Sequence, residues 1–154
     1  ERAPLDIHEV IDDMLLLCNK KHQARKIVLE RHYAGDLPKI RAVSDQVKQV
    51  ILNLLQNAEE SMPNEGGKIV ISTEKQEDGI KVRIKDTGCG IDQDAMKSVF
   101  DPFFTTKSAD KGTGLGLSIS YGIMQAHGGF IKVESRPDEG STFTLFFPIN
   151  PDIA

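Results

Sequence analysis

Two asparagines one helical turn apart, an aspartate at the head of a glycine turn, and a run of alternate glycines have types and spacing that can do chemistry. They are Asn53 and Asn57; Asp86-Thr-Gly-Cys-Gly90; and Gly112-Thr-Gly-Leu-Gly-Leu117. Between the glycine turns lies Phe100-Asp-Pro-Phe-Phe-Thr-Thr-Lys107, a stretch of loop character. Dense glycines let backbone N–H groups come close to a ligand. The second turn runs into an apolar-periodic helix, which puts N–H groups at a helix N-terminus, an anion site. Asn offers a neutral carbonyl oxygen suited to a hard cation or its waters. Asp86, beside Gly88 and Gly90, can accept from the exocyclic amine of a flat base. Together these features read as a nucleotide pocket with its phosphate end at Gly112 to Leu117. Each also has a plainer reading: helix-surface amides, a turn carboxylate, core phenylalanines, and solvated Lys107 and Lys111.

The elements that must position these groups follow from periodicity. Asp6 is expected to cap a helix ending near Arg25, with Ile7, Val10, Ile11, Met14, Leu15, Leu17 and Cys18 on its apolar face. Ile27 to Tyr33 and Lys39 to Val43 read as strands, separated by a Gly35–Pro38 turn. Ser44 or Asp45 is expected to cap a second helix with an apolar stripe of Val47, Val50, Ile51, Leu54, Leu55 and Ala58. At about 100° per residue, Asn53 and Asn57 fall at the edge of that stripe, beside Gln46. Lys68–Glu74 and Gly79–Asp86 alternate at period two and form a hairpin that delivers Asp86 to the first glycine turn. A short helix over Asp92–Val99 precedes the loop. A helix from Gly114 to about His127 follows it and stops at Gly128-Gly129. A last hairpin joins Phe130–Ser135 to Ser141–Pro148. The sum is an α/β (α+β) two-layer sandwich: a mixed, mostly antiparallel sheet packed on three helices.

The 154 residues suit one domain, with 39% hydrophobic and 27% charged residues. A net charge of −4 gives no broad basic surface for nucleic acid. Two cysteines, Cys18 and Cys89, make no disulfide framework, which suits a reducing, cytoplasmic setting. Cys89, inside the first glycine turn, reads as an inert small residue or a redox-sensitive thiol. The apolar runs are too short to span a bilayer. The opening Glu-Arg-Ala-Pro lacks an initiator Met, so residues 1–4 are read as the end of a linker, 5–150 as the domain and 151–154 as a tail. The glycine run is neither a Walker A motif, lacking Gly-Lys-Ser/Thr, nor a dinucleotide fingerprint, because Leu117 stands where its last glycine belongs.

In order and spacing, Asn53-x-x-x-Asn57, Asp86-x-Gly-x-Gly90, Phe100-x-x-Phe-Phe104 and Gly112-x-Gly-x-Gly116 resemble the asparagine, first glycine, phenylalanine and second glycine boxes of sensor histidine kinases. The resemblance runs from about Leu5 to Ile149. It is to the catalytic ATP-binding domain with the Bergerat fold, shared with type II topoisomerases, MutL and heat-shock ATPase chaperones. Asp101 to Lys107 is similar in wording to nitrogen-regulation-type kinases. The resemblance implies ATP and Mg²⁺ as cofactors, Asn57 as the metal ligand and Asn53 as support for metal and phosphates. It implies Asp86 as adenine reader, Gly88, Gly90 and Ile91 around the base, and Thr142 helping Asp86 through water. Phe103 and Phe104 would anchor a lid. Lys107, Gly112, Thr113, Gly114, Leu115, Gly116 and Leu117 would meet the phosphates. Asn53, Asn57 and Lys107 form the implied catalytic set.

In the ATPase branches of this fold a Glu stands where Asn53 does and activates water. An amide takes no proton at neutral pH, so this chain is read as holding ATP for transfer to a histidine rather than to water. Positioning and charge neutralisation are then what catalysis needs. His8-Glu9 faintly resembles the acceptor box but lacks its proline; His22, His32 and His127 sit in no such context. The acceptor is expected on the protein's own dimerisation domain, upstream of Glu1, with a response-regulator receiver domain downstream in the pathway. The isolated domain is expected to be a monomer and its parent a homodimer, soluble or membrane-anchored. A serine kinase of the anti-sigma type and a non-catalytic nucleotide-sensing module share the fold and remain as alternatives.

Overall fold

The structure is a computed structural model that describes residues 1–101 and 116–149. Eleven elements are described: β1 (Ala3–Leu5), α1 (Ile7–Ala24), β2 (Ile27–His32), β3 (Ile40–Ala42), α2 (Ser44–Ser61), β4 (Gly67–Lys75), β5 (Gly79–Asp86), α3 (Gln93–Met96), α4 (Gly116–Ala126), β6 (Phe130–Ser135) and β7 (Ser141–Pro148). Five strands form one sheet in the order β2-β4-β5-β7-β6. All of its pairings are antiparallel except β2 with β4. The mixed, mostly antiparallel sheet under helices is as the periodicity predicts, with α3 a single turn rather than a helix reaching Val99.

One face of the sheet is closed by α1, α2 and α4, and strand alternation explains why. Ile69 and Ile71 of β4, Ile80, Val82 and Ile84 of β5, and Phe143, Leu145 and Phe147 of β7 are buried at every second position. They meet Ile11, Leu15, Val50, Ile51, Leu54 and Leu55 from the helices in one core. Full burial of a Leu or Ile side chain stabilises by roughly 1.5–3 kcal/mol, so this layer supplies the main favourable term. Asp86 is the next member of the β5 series and therefore lies on the core face, 2% exposed.

Three expectations are corrected. Ala3 and Pro4 are not linker: β1 pairs antiparallel with β3, Ala3 opposite Ala42, a pairing too short to show as periodicity. Leu17 is not part of the α1 face but 68% exposed, because it lies at the margin of the stripe where no neighbour reaches. Neither Ser44 nor Asp45 caps α2; Val43 stands at the N-cap position with no side-chain cap bond. Its N–H donates instead to His127 Nε2 at 3.1 Å. That makes Nε2 the acceptor, so Nδ1 carries the proton and donates to Ile123 O at 2.9 Å. His127 thus ties the end of α4 to the start of α2. The Asp6 cap of α1 forms as expected, through His8 N–H to Oδ1 at 2.9 Å. The α4 stop also forms, with Gly128 at φ +73°.

Candidate functional site

Helix α2 carries a polar ridge along one edge of its apolar stripe. Asn53, Asn57 and Ser61 recur every four residues and so stand in line, all half-buried. Eight residues of helix span about 12 Å. The two ends of that line are built differently.

At the Ser61 end, the first glycine turn folds against the helix C-terminus. Asp86 Oδ1 accepts from Gly88 N–H at 2.8 Å, Ser141 N–H at 3.3 Å and Ser61 Oγ at 3.4 Å. Among the described residues all three donors fall on Oδ1, which leaves Oδ2 as an acceptor without a protein donor. Burial pushes the Asp86 carboxyl above its ordinary range, and the N–H groups of Gly88 and Ser141 and the Ser61 hydroxyl offset this only in part. The turn needs its glycines for contact as well as conformation. Cys89 N–H donates to Ser61 O at 3.0 Å, and a Cβ on Gly88 would stand 2.2 Å from Ser61 Oγ. Gly90 has φ +73°, and a Cβ there would meet Arg136 O at 1.9 Å. Ile91 packs on the core edge, its N–H donating to Ser135 Oγ at 2.8 Å.

At the Asn53 end, one amide joins two helices. Asn53 Nδ2 donates to Gly116 O and to Ser120 Oγ, each at 3.1 Å, while its Oδ1 accepts from Gln49 Nε2 at 2.7 Å. The last glycine of the second run is therefore seated against Asn53, and Leu117 beside it packs on the core. Phe104, Lys107, Gly112, Thr113, Gly114 and Leu115 lie outside the described residues, as do Phe103 and Lys111.

Thr142 is not brought to Asp86. The residue opposite Asp86 is Ser141, and Thr142 pairs with Lys85. Adjacent strand residues point to opposite faces, so Thr142 belongs to the other side of the sheet. It lines an open cleft at the strand ends with Gln93, Met96 and Glu134, a cleft that Ser135 and Ser141 also border. The partner on the Asp86 side is Ser141, one residue earlier. Sequence reasoning also missed Ser61 and Ser120. Ser61 was within reach, being one further turn along the Asn53–Asn57 spacing.

A family model described as Histidine kinase-, DNA gyrase B-, and HSP90-like ATPase matches residues 42–151, which include α2 and both glycine runs. The chain belongs to this family. The sensor histidine kinase ZraS of Escherichia coli is 38% identical over 146 residues, aligning 95% of this chain with 31% of that protein. The signal transduction kinase AtoS of the same species is 40% identical over 148 residues, 96% of this chain and 24% of AtoS. The chain thus spans less than a third of either curated relative. The nucleotide-free catalytic domain of histidine kinase ThkA superposes with a TM-score of 0.88 at 34% identity, covering 99% of this chain and 98% of that one. ThkA in complex with the response regulator protein TrrA gives 0.85 at 30% identity, over 99% of this chain and 43% of that one. The chain is a catalytic ATP-binding domain of the histidine kinase type, and the sequence-based reading of fold and family holds. Among the described residues no helix is long and apolar enough to cross a membrane.

Proposed function

We propose that the chain binds Mg-ATP along the α2 ridge and transfers its γ-phosphoryl group to a histidine on a separate dimerisation domain of its parent protein. The observation that carries this is the ridge itself: Asn53, Asn57 and Ser61 run in line from Gly116 and Ser120 to Asp86 and Gly88. One end offers a buried carboxylate oxygen for the amine of adenine, with Gly88, Gly90 and Ile91 leaving room for the base. The other offers a helix N-terminus for phosphate oxygens.

The donor set fits Mg²⁺ that arrives already bound to phosphates. Asn57 supplies a neutral carbonyl, and no carboxylate stands between it and Asn53 on the ridge to hold the free ion. Mg²⁺ commonly binds through few protein oxygens, several waters and substrate phosphates. Held at Asn57, Mg²⁺ would supply charge neutralisation at the phosphates. Asn53, whose amide is committed to Gly116 and Ser120, positions the start of α4 rather than activating water. On the strength of the sequence motif alone, Lys107, Gly112, Thr113, Gly114 and Leu115 are assigned to the phosphate end, and Phe104 to the same nucleotide site.

Three of the four histidines are held by hydrogen bonds within the domain and the fourth, His22, is buried, which favours an acceptor outside this chain. His8 stacks on Tyr33 and bonds Thr73 Oγ1 at 2.8 Å; His22 faces Glu59; His32 pairs with Glu30; His127 bridges α2 and α4. The ThkA–TrrA complex supports a response-regulator receiver domain as the next acceptor. The test combines γ-labelled Mg-ATP, this chain and the dimerisation domain of the same gene. Acid-labile, base-stable label on that domain is expected. Free phosphate as the main product would point to an ATPase, and acid-stable label on serine to a serine kinase; either would overturn the reading.

A further inference from the structure

Between α1 and α2, on the flank away from the ridge, three metal-binding side chains converge in the core. Cys18 and His22 lie one turn apart on α1, and Glu59 faces them from α2. All are buried, at 6%, 2% and 0% exposure. One donor atom from each lies within 4.8 Å of the other two. His22 Nε2 is 2.6 Å from Glu59 Oε1, yet the contact falls outside hydrogen-bond geometry. Both ring nitrogens of His22 and both carboxylate oxygens of Glu59 are buried without a hydrogen-bond partner. Glu59 thus has ion contacts to His22 and Lys21 but no well-formed hydrogen bond, a poorly satisfied state for a buried carboxylate. The nearby cation, Lys21, stands 3.4 Å from Glu59 Oε2, but its side chain is 53% exposed and free to swing into water.

We propose that Cys18, His22 and Glu59 form a binding site for a divalent cation of the zinc class that staples α1 to α2. Thiolate, imidazole and carboxylate together suit a borderline ion and not Mg²⁺, which prefers oxygen and rejects sulfur. Zn²⁺ would take Cys18 Sγ, His22 and Glu59, with water or a small ligand in the fourth tetrahedral position. With bonds of about 2.0–2.3 Å, the donors of such a site stand about 3.3–3.7 Å apart. The His22–Glu59 contact then opens by under about 1 Å, and Lys21 leaves. Two negative ligands balance the charge of the ion. The Cys18 thiol releases its proton to solvent as the Sγ–metal bond forms. Burial, and then the Glu59 carboxylate, push that thiol up to about 12. The ion must therefore displace the proton from Sγ as it binds. Glu59 is two residues beyond Asn57, so the staple would fix the half of α2 that carries Asn57 and Ser61.

The test is a Co²⁺ titration of the chain, with the ion added to the native protein and, separately, during refolding. A thiolate-to-cobalt charge-transfer band saturating at one ion per chain, and quenched by Zn²⁺, is expected. Cys89→Ser should keep the band, since Cys89 is exposed and lies in the glycine turn. Cys18→Ser, a near-isosteric change, should lose it, and Glu59→Gln should weaken binding at least tenfold. In melting experiments Zn²⁺ should raise the Tm of the wild-type chain and not that of Cys18→Ser, while Mg²⁺ moves neither. A band that survives Cys18→Ser, or no band in the wild-type chain under either condition, would overturn the proposal. The outcome is independent of nucleotide binding, so it stands or falls separately from the kinase reading.

Discussion

The two ends of the α2 ridge solve different problems with different materials. The Asp86 end is made of main chain from three elements: the α2 C-terminus, the glycine turn and the first residue of β7. Its donors are mostly backbone N–H groups, and two glycines are required by contact distances of 2.2 and 1.9 Å. The Asn53 end is made of side chains, with one amide bonding Gly116 O and Ser120 Oγ. Backbone bonds from the glycine turn and β7 hold the Asp86 carboxylate, the proposed reader of the base, in place. Side-chain bonds between two helices can break and re-form, as suits groups that must admit and release phosphates. On the proposed function, recognition and transfer would then sit at opposite ends of a single helix.

That contrast can be broken by substitution. Asn57→Ala should have the largest effect: phosphoryl transfer falls at least roughly 100-fold, about 2.7 kcal/mol or more, while affinity for adenosine stays within about twofold. Equal losses for adenosine and ATP would show that the ends are not separable. Gly88→Ala should do the opposite. Its methyl would press on Ser61 Oγ and on Ser61 O, the latter at 2.7 Å, and cost about 1–3 kcal/mol of stability, read from the urea midpoint. Adenosine and ATP should then weaken in parallel. An unchanged midpoint would mean that the turn is not seated as described. Ser61→Ala should have the smallest effect, since its 3.4 Å bond to Asp86 is long: an affinity loss of a few-fold, within about 1 kcal/mol, for both ligands. A tenfold loss would give Ser61 a direct part in base binding.

Much of this was legible before any coordinates. Alternation in β4, β5 and β7 foretold the sheet, and the first glycine turn and Gly116 do lie along the helix that carries Asn53 and Asn57. What stayed hidden depended on partners distant in sequence. Register between β5 and β7 decides that Ser141, not Thr142, meets Asp86, and a one-residue difference swaps faces. The start of α2 was expected to use a polar cap, whereas His127, 84 residues away, receives the Val43 N–H. Three-residue β1 is too short for periodicity to register. Glu59 sits next to Ala58 on the apolar side of α2, and its burial against Cys18 and His22 follows only from how α1 crosses that helix.

The most direct test of the central claim, that Asp86 reads adenine at a fixed end of the ridge, is calorimetric titration of Mg-ATP into the wild-type chain and Asp86→Asn. Asparagine keeps an oxygen for Gly88, Ser141 and Ser61 but turns an amide toward the base amine. Affinity should fall roughly 100-fold or more, because donor then faces donor. The fold should survive. Burial raises the folded-state pKa of Asp86 above its unfolded value, so ionisation costs stability once pH rises through that folded pKa. Asp86→Asn should therefore melt no lower than wild type near neutral pH, and any advantage should shrink as pH falls toward the ordinary carboxylate range. Unchanged ATP affinity in a folded Asp86→Asn chain would contradict the account.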